Sequence, residues 1–373
     1  MQHLDALLRQ ATQDGTIPGA VIYVSYQGQM VWQQTYGAAA LVPTWRPMQR
    51  DTLFDIASLT KVVAATSLAL WAHHAGVCRL DDCLQRFYPV LMHTTLGSVT
   101  LRQLLAHVGG LAAWQPLYQQ LLPHDPALHD ATSASRRRQQ ATCLILREPL
   151  DYTPGTRVVY SDLGFILLGN LLEAQYGQPL STLFLDNVAQ PLGLRHIAYR
   201  PLGQPSPLPI APTAYAATEA CPWRGRVLVG EVHDENAWAM GGIAGHAGLF
   251  ATAEALGQFA QALLDTAAGK SDWLPAPLLQ ESWQCQPVPA GNTRALGWDT
   301  PTPGHSTAGA YFSSRSIGHL GFTGTSLWTD LERQVIVVLC TNRVHPSRQA
   351  AGMQHLRPAV HNLVMQALGV APS

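Results

Sequence analysis

Lysine is nearly missing from this 373-residue chain: Lys61 and Lys270 stand against 21 arginines. Arginine keeps its proton at any cellular pH, whereas a lysine amine can be driven toward its neutral form by burial or by neighbouring cations. A lysine retained in such a chain is therefore a candidate for proton chemistry. Charge of either sign is also scarce, at 13% of residues against about 25% in typical globular domains. With a net charge of −1 and a pI near 6.9, no basic face is available for a phosphate backbone, which argues against nucleic acid as a partner. The run Arg136-Arg137-Arg138 reads as a solvated helix face or loop. The apolar run from Val62 to Ala72 falls short of the roughly 20 residues that span a bilayer, so no membrane span is expected. Six cysteines are spread without a C-x-x-C pair or zinc spacing, as befits reduced, packed thiols. The histidines show no H-E-x-x-H or comparable spacing, so neither metal nor cofactor is expected. Met1-Gln2-His3-Leu4-Asp5 carries no basic n-region or apolar h-region, which points to the cytoplasm, or to the periplasm if a leader has been trimmed.

What is present centres on Ser58-Leu59-Thr60-Lys61. The apolar run behind it reads as a buried helix, on which residues i and i+3 share a face, placing the Lys61 amine beside the Ser58 hydroxyl. In the first turn the serine oxygen would also lie near unpaired backbone N–H groups and the positive end of the helix dipole. Free serine is a poor nucleophile, and a lysine of pKa about 10.4 is a poor base at neutral pH. Burial is expected to lower the lysine pKa and so activate the serine.

Length favours two domains. Leu4, Leu7, Leu8 and Ala11 have helical spacing, stopped by Gly15 and Pro18. Ala20 to Tyr26 and Met30 to Tyr36 read as a hairpin around Gln27-Gly28-Gln29. Residues 76–224 look helical and loop-rich without a strand pair, and end in a proline-dense stretch, Pro201, Pro205, Pro207, Pro209 and Pro212. Strand sequence returns at Thr325 to Thr329 and Gln334 to Thr341, before a terminal helix through Val360, Leu363, Val364 and Leu368. The expectation is an α+β fold. Residues 1–75 and 225–373 form a discontinuous domain of antiparallel sheet flanked by the terminal helices. Residues 76–224 form an inserted, mainly helical domain, with the active site at the seam.

Two further segments add reactive groups. Pro154-Gly155 leads to Tyr160-Ser161-Asp162, where a phenol could relay protons to a leaving group. Gly318-His319-Leu320-Gly321-Phe322-Thr323-Gly324 is glycine-rich enough for backbone to approach a ligand, and the Phe322 amide could donate to an oxyanion. S-L-T-K, then Y-S-D, then H-L-G before a C-terminal strand together resemble the serine β-lactamase and penicillin-binding superfamily. They are most similar to its class C-like branch, with D-amino-acid peptidases and family VIII carboxylesterases. Phe54 to Ala57, Leu104 to Leu111, Val232 to Ala237 and Gly245 to Phe250 are similar to family blocks, so the resemblance spans nearly the whole chain.

The resemblance implies a β-lactamase-like fold and an acyl-enzyme on Ser58, with Lys61 as base or proton shuttle and Tyr160 sharing that role. It implies an oxyanion hole from the backbone amides of Ser58 and Phe322, and room for substrate at Gly321. His319 stands where the family has the lysine of K-T-G, Leu320 where it has threonine, and Asp162 where Y-x-N has asparagine. Asp162 is expected to pair with Lys61 or to repel anionic substrates. These departures leave acylation intact but weaken the case for β-lactam hydrolysis. Carboxylic esters lead as substrates, then amides of D-amino-acid or cell-wall peptides, with a β-lactamase proper third. A penicillin-binding sensor that is acylated and never turns over is the alternative of another class. An α/β-hydrolase would need a G-x-S-x-G elbow, and none occurs.

Overall fold

The computed structural model describes residues 1–205, 214–304 and 306–371. Strands Gly19–Tyr26 and Gln29–Ala40 pair with Tyr26 opposite Gln29, leaving Gln27 and Gly28 as a two-residue loop. Both loop residues have positive φ, 52° and 81°, the signature of a type I′ turn whose twist matches that of the flanking strands. The first strand then pairs antiparallel with Val335–Thr341, Ala20 lying opposite Thr341. Ser326–Asp330 and Ser316–Leu320 follow outward, and Arg46–Pro47 closes the other edge of the six-stranded sheet. The two ends of the chain thus share one sheet.

That sheet is covered on both faces, as the period of two along its strands requires. Ile22, Val24, Val337 and Leu339 pack beneath the terminal helices Gln2–Gln13 and Met353–Ala367, with Leu4, Leu8, Leu356 and Val360. Val21, Tyr23, Ile336 and Val338 face the other way, toward Phe259 on the helix Ala253–Ala267. Every residue of Val335–Thr341 is buried, and each fully buried Val, Leu or Ile contributes about 1.5–3 kcal/mol.

In sequence, the helices Ser67–His74, Ala131–Arg147 and Asp162–Tyr176 fall between the strands that the two ends of the chain contribute. The stretch 76–224 is not wholly helical: Ile197–Tyr199 pairs with Leu249–Ala251, and Ala217–Cys221 with Arg226–Val229. These strands, of three to five residues, are too short to set up a periodic signal. Of the proline-dense stretch, Pro207, Pro209 and Pro212 lie outside the described residues. Among the described residues no helix is long and apolar enough to cross a membrane.

The arginine run departs from expectation. Arg136 is exposed, but Arg137 and Arg138 are buried. Arg137 donates to the carbonyls of Ala239, Asp125 and Ala127, and Arg138 to Glu173 and to the Met240 carbonyl. Their long side chains satisfy helix-end and turn carbonyls from within, tying helix Ala131–Arg147 to the turn that leads into the 241–248 loop. That loop lies hard against helix Asp162–Tyr176: a Cβ on Gly245 would sit 2.1 Å from the Phe165 carbonyl oxygen and 3.1 Å from the Gly169 Cα.

Gly245→Ala should therefore lower stability by about 1–3 kcal/mol, the usual cost of overpacking, read as a fall in the urea midpoint. Gly164→Ala, whose Cβ would meet only ordinary contacts at 3.7–3.9 Å, should leave the midpoint unchanged or raise it. Equal effects at the two positions would contradict the close approach.

Candidate active site

The short strand Phe54–Asp55 delivers the chain to Ala57, a non-glycine residue at φ 45°. Such a left-handed residue needs to be held, and Asp55 holds it. Asp55 Oδ1 accepts from the Ala57 amide (2.8 Å), and Oδ2 from the His233 amide (2.6 Å). Burial pushes the Asp55 pKa up, and the two amide donors oppose this. Thr323 and Thr325 donate to the Asp55 and Ile56 carbonyls, so the same turn is bracketed from the sheet side. Asp55 was visible in the sequence only as part of a familiar block, and nothing in composition marked it as the residue that sets the turn.

Ser58 opens the next turn, in which the Lys61 amide donates to the Ser58 carbonyl at 3.0 Å. The segment Lys61–Thr66 is wound as a π-helix before continuing as the α-helix Ser67–His74, where a plain α-helix was expected. π-Turns of this kind concentrate at functional sites. The Lys61 and Ser58 side chains still meet, Nζ lying 2.9 Å from Oγ.

Lys61 is fully buried. Its Nζ donates to Asp162 Oδ1 at 2.6 Å and to the His246 carbonyl at 3.4 Å, so with Ser58 its three N–H groups have three acceptors. Burial opposes the charge, but Asp162 and Tyr160 outweigh it and hold the Lys61 pKa above its ordinary value. This corrects the expectation that burial would lower it: the apolar enclosure contains a carboxylate at contact distance.

Tyr160 packs with its ring centroid 4.7 Å from Lys61 Nζ, and its phenol interacts with both Lys61 and Ser58. Burial raises its pKa, and the Lys61 charge partly offsets that. Asp162 is the first residue of helix Asp162–Tyr176, directly after the N-cap Ser161. Its amide donates to the Ala113 carbonyl, which fixes its place beside Lys61.

His319 is buried on the edge strand. Its Nδ1 lies 2.8 Å from the Leu320 carbonyl oxygen; a carbonyl only accepts, so Nδ1 carries the proton. Burial, with the Lys61 and Arg294 charges, keeps the ring pKa well below ordinary, so His319 is neutral and brings no cation to the position of the family's lysine. A cation enters from elsewhere: the Arg294 guanidinium sits 5.5 Å over the Tyr160 ring and pairs with Asp299 at 2.7 Å. No motif or spacing singled it out.

Gly321, where room for substrate is expected, lines the cleft and is also constrained from within the protein. A Cβ there would meet Thr325 Oγ1 at 2.0 Å and the Ile56 carbonyl oxygen at 2.6 Å, so its missing side chain admits the protein's own bracket on the Ser58 turn. Phe322 is half exposed, stacked between the His233 ring and the Arg343 guanidinium. Neither the Ser58 amide nor the Phe322 amide donates within the protein among the described residues, and both residues line one cleft of about 730 Å³ with Tyr160, Asp162, His319 and Arg294. Two such amides can stabilise a developing oxyanion.

Asp234 and His246 complete the surroundings of Lys61. Asp234 Oδ1 accepts from the Ala237 amide, capping the helix Glu235–Ala239, and from His246 Nε2 at 2.8 Å. Burial would raise the Asp234 pKa, but His246 and the Ala237 amide hold it below the carboxylate range. Asp162, Asp234 and His246 are the described His, Cys, Asp or Glu residues that come close enough together to share an ion. The Lys61 ammonium already lies on Asp162, and a divalent cation beside it would meet that charge.

Comparison with known proteins finds relatives both by sequence and by fold. The chain is 29% identical to the "Putative D-alanyl-D-alanine carboxypeptidase" of Escherichia coli (strain K12) over 379 residues, covering 92% of this chain and 82% of that one. It is 27% identical over 375 residues to the "N-acetylmuramyl-L-alanine amidase" of Bacillus subtilis (strain 168), covering 92% and 81%. Among solved structures, "EstCE1, a hydrolase with promiscuous acyltransferase activity" superposes with a TM-score of 0.70 at 20% identity, over 96% of this chain and 98% of that one, a likeness of fold. The model of the family described as "Beta-lactamase" matches residues 4–360, and the chain belongs to that family.

Proposed function

We propose that the protein is a serine hydrolase that acylates Ser58 and releases the acyl group to water, with carboxylic esters as its first substrate class. The observation that carries this reading is the contact of Ser58 Oγ with Lys61 Nζ at 2.9 Å, under Tyr160 and beside two undonated amides in an open cleft. Ser58 Oγ attacks the substrate carbonyl carbon, and the oxyanion is held by the Ser58 and Phe322 amides. The bond to the leaving group breaks as the serine proton passes through Lys61 and Tyr160 to that group. Water repeats the sequence on the acyl-enzyme and frees the acid.

Esters are favoured over carboxylate-bearing substrates because neutral His319 and Asp162 replace the cation and the amide donor expected at those positions. A second reading, hydrolysis of amides in D-amino-acid or cell-wall peptides, is supported by the names of the two sequence relatives and by Arg294 in the cleft. Its guanidinium could meet a substrate carboxylate.

Ser58→Ala should abolish labelling by a fluorophosphonate, and persistent labelling at another serine would overturn the assignment. Lys61→Arg keeps the charge and loses the titratable amine, so kcat/KM on a 4-nitrophenyl ester should fall by about 10³; near-normal turnover would make Lys61 structural.

The pH dependence follows from the sign of the Lys61 shift. A raised pKa keeps the amine protonated at neutral pH, so the base form, and with it kcat/KM, grows as pH rises. Asp162→Asn removes the carboxylate that raises that pKa. The rising limb should move to lower pH by about one unit or more, and an unmoved limb would separate Lys61 ionisation from the rate.

A further inference from the structure

The Tyr160 phenol reaches Lys61 and Ser58, and the residues on either side of Tyr160 are both held by His107. The Val159 amide donates to the His107 carbonyl at 2.9 Å, and the Ser161 amide donates to His107 Nδ1 at 3.0 Å. The same carbonyl also accepts from the Tyr152 hydroxyl at 3.2 Å. His107 lies just past the helix Leu101–Leu105 at φ 58°, a left-handed conformation that histidine and asparagine adopt more readily than most side chains. The Ser161 nitrogen belongs to the rigid peptide plane that leaves Tyr160, so its bond to the imidazole fixes the backbone from which the phenol sets out. The imidazole then packs along the Tyr160 ring, centroids 4.6 Å apart at 37°, and also meets Phe165. A nitrogen that accepts from an amide carries no proton, so the proton of this buried ring sits on Nε2. Burial, with the Arg294 and Lys61 charges, keeps the His107 pKa well below ordinary, and the acceptor therefore stays open at neutral pH. An apolar side chain would fill the same space but would strand the Ser161 amide between Tyr160 and Asp162, the two residues that meet Lys61.

We propose that His107 is a positioning residue for the acyl transfer: its carbonyl and its Nδ1 clasp the chain on both sides of Tyr160 and aim the phenol at Ser58 and Lys61. His107 is not among the residues that line the cleft, so it acts through Tyr160 and not on the substrate. This rests on the acyl-enzyme reading above and adds to it the residue that sets the geometry of the proton path.

The test is a double-mutant cycle in the full-length protein, read on 4-nitrophenyl acetate. His107→Asn places an acceptor oxygen the same number of bonds from Cα as Nδ1 and tolerates the left-handed backbone, whereas His107→Gly tolerates that backbone and has no acceptor. His107→Gly should lower kcat by about tenfold to a hundredfold with KM little changed, the scale of a misplaced catalytic group, and His107→Asn should recover most of the loss. In a Tyr160→Phe background His107→Gly should cost less than about twofold more, because residues that act as a unit are not additive. If His107→Gly shows no cooperative urea transition, His107→Phe, which fills the space without an acceptor, takes its place in the cycle. Equal losses with and without the acceptor, or the same loss with and without the Tyr160 hydroxyl, would overturn the positioning role while leaving the hydrolase reading intact. An unaltered protein that neither hydrolyses the ester nor is labelled at Ser58 by a fluorophosphonate would contradict the hydrolase reading and the positioning role with it.

Discussion

One buried ammonium organises this molecule. Lys61 has no exposed atoms to hydrate, and an uncompensated charge in that position would cost several kcal/mol. Compensation comes from three separate segments: Ser58 on its own turn, Asp162 at the head of the helix it begins, and the His246 carbonyl on the 241–248 loop. The charge is satisfied only when these three segments are docked together. The surrounding features serve that docking. Gly245 admits the loop against Phe165, buried Arg137 and Arg138 anchor the turn leading into it, and Asp234 holds the His246 ring.

Ser58 is positioned by a second set of bonds that Lys61 does not share. Asp55 links the Ser58 turn to His233, and Thr323 and Thr325 link it to the end of the His319 strand. Gly321 belongs to this bracket, since any side chain there would expel Thr325 from the Ile56 carbonyl. The two amides proposed as the oxyanion hole therefore lie on segments cross-bonded to each other, the kind of preorganisation that stabilises developing charge without further movement.

The α+β architecture and the core of the site were legible in the sequence because they rest on local signals. The Gln27-Gly28 hairpin, the terminal helices and the S-L-T-K spacing each declare themselves within a few residues. The Asp162 contact with Lys61 could be anticipated from a single substitution in a familiar motif. What was hidden depends on distant partners. The sign of the Lys61 shift is set by a residue 101 positions away. The burial of Arg137 is set by carbonyls of another segment, and the place of Arg294 over Tyr160 belongs to no motif at all. Short strands such as Ile197–Tyr199 exist because a neighbour accepts them, not because their own pattern calls for a strand.

The scarcity of lysine makes the central claim directly measurable. Protein carrying 13Cε-labelled lysine should give two lysine signals, and Lys270→Arg should leave that of Lys61 alone. If Asp162 holds the amine charged, the Lys61 signal will titrate with a midpoint above the ordinary lysine value of about 10.4, and Asp162→Asn will bring that midpoint down. A Lys61 that titrates near neutrality in the unaltered protein, with no response to Asp162→Asn, would contradict the account.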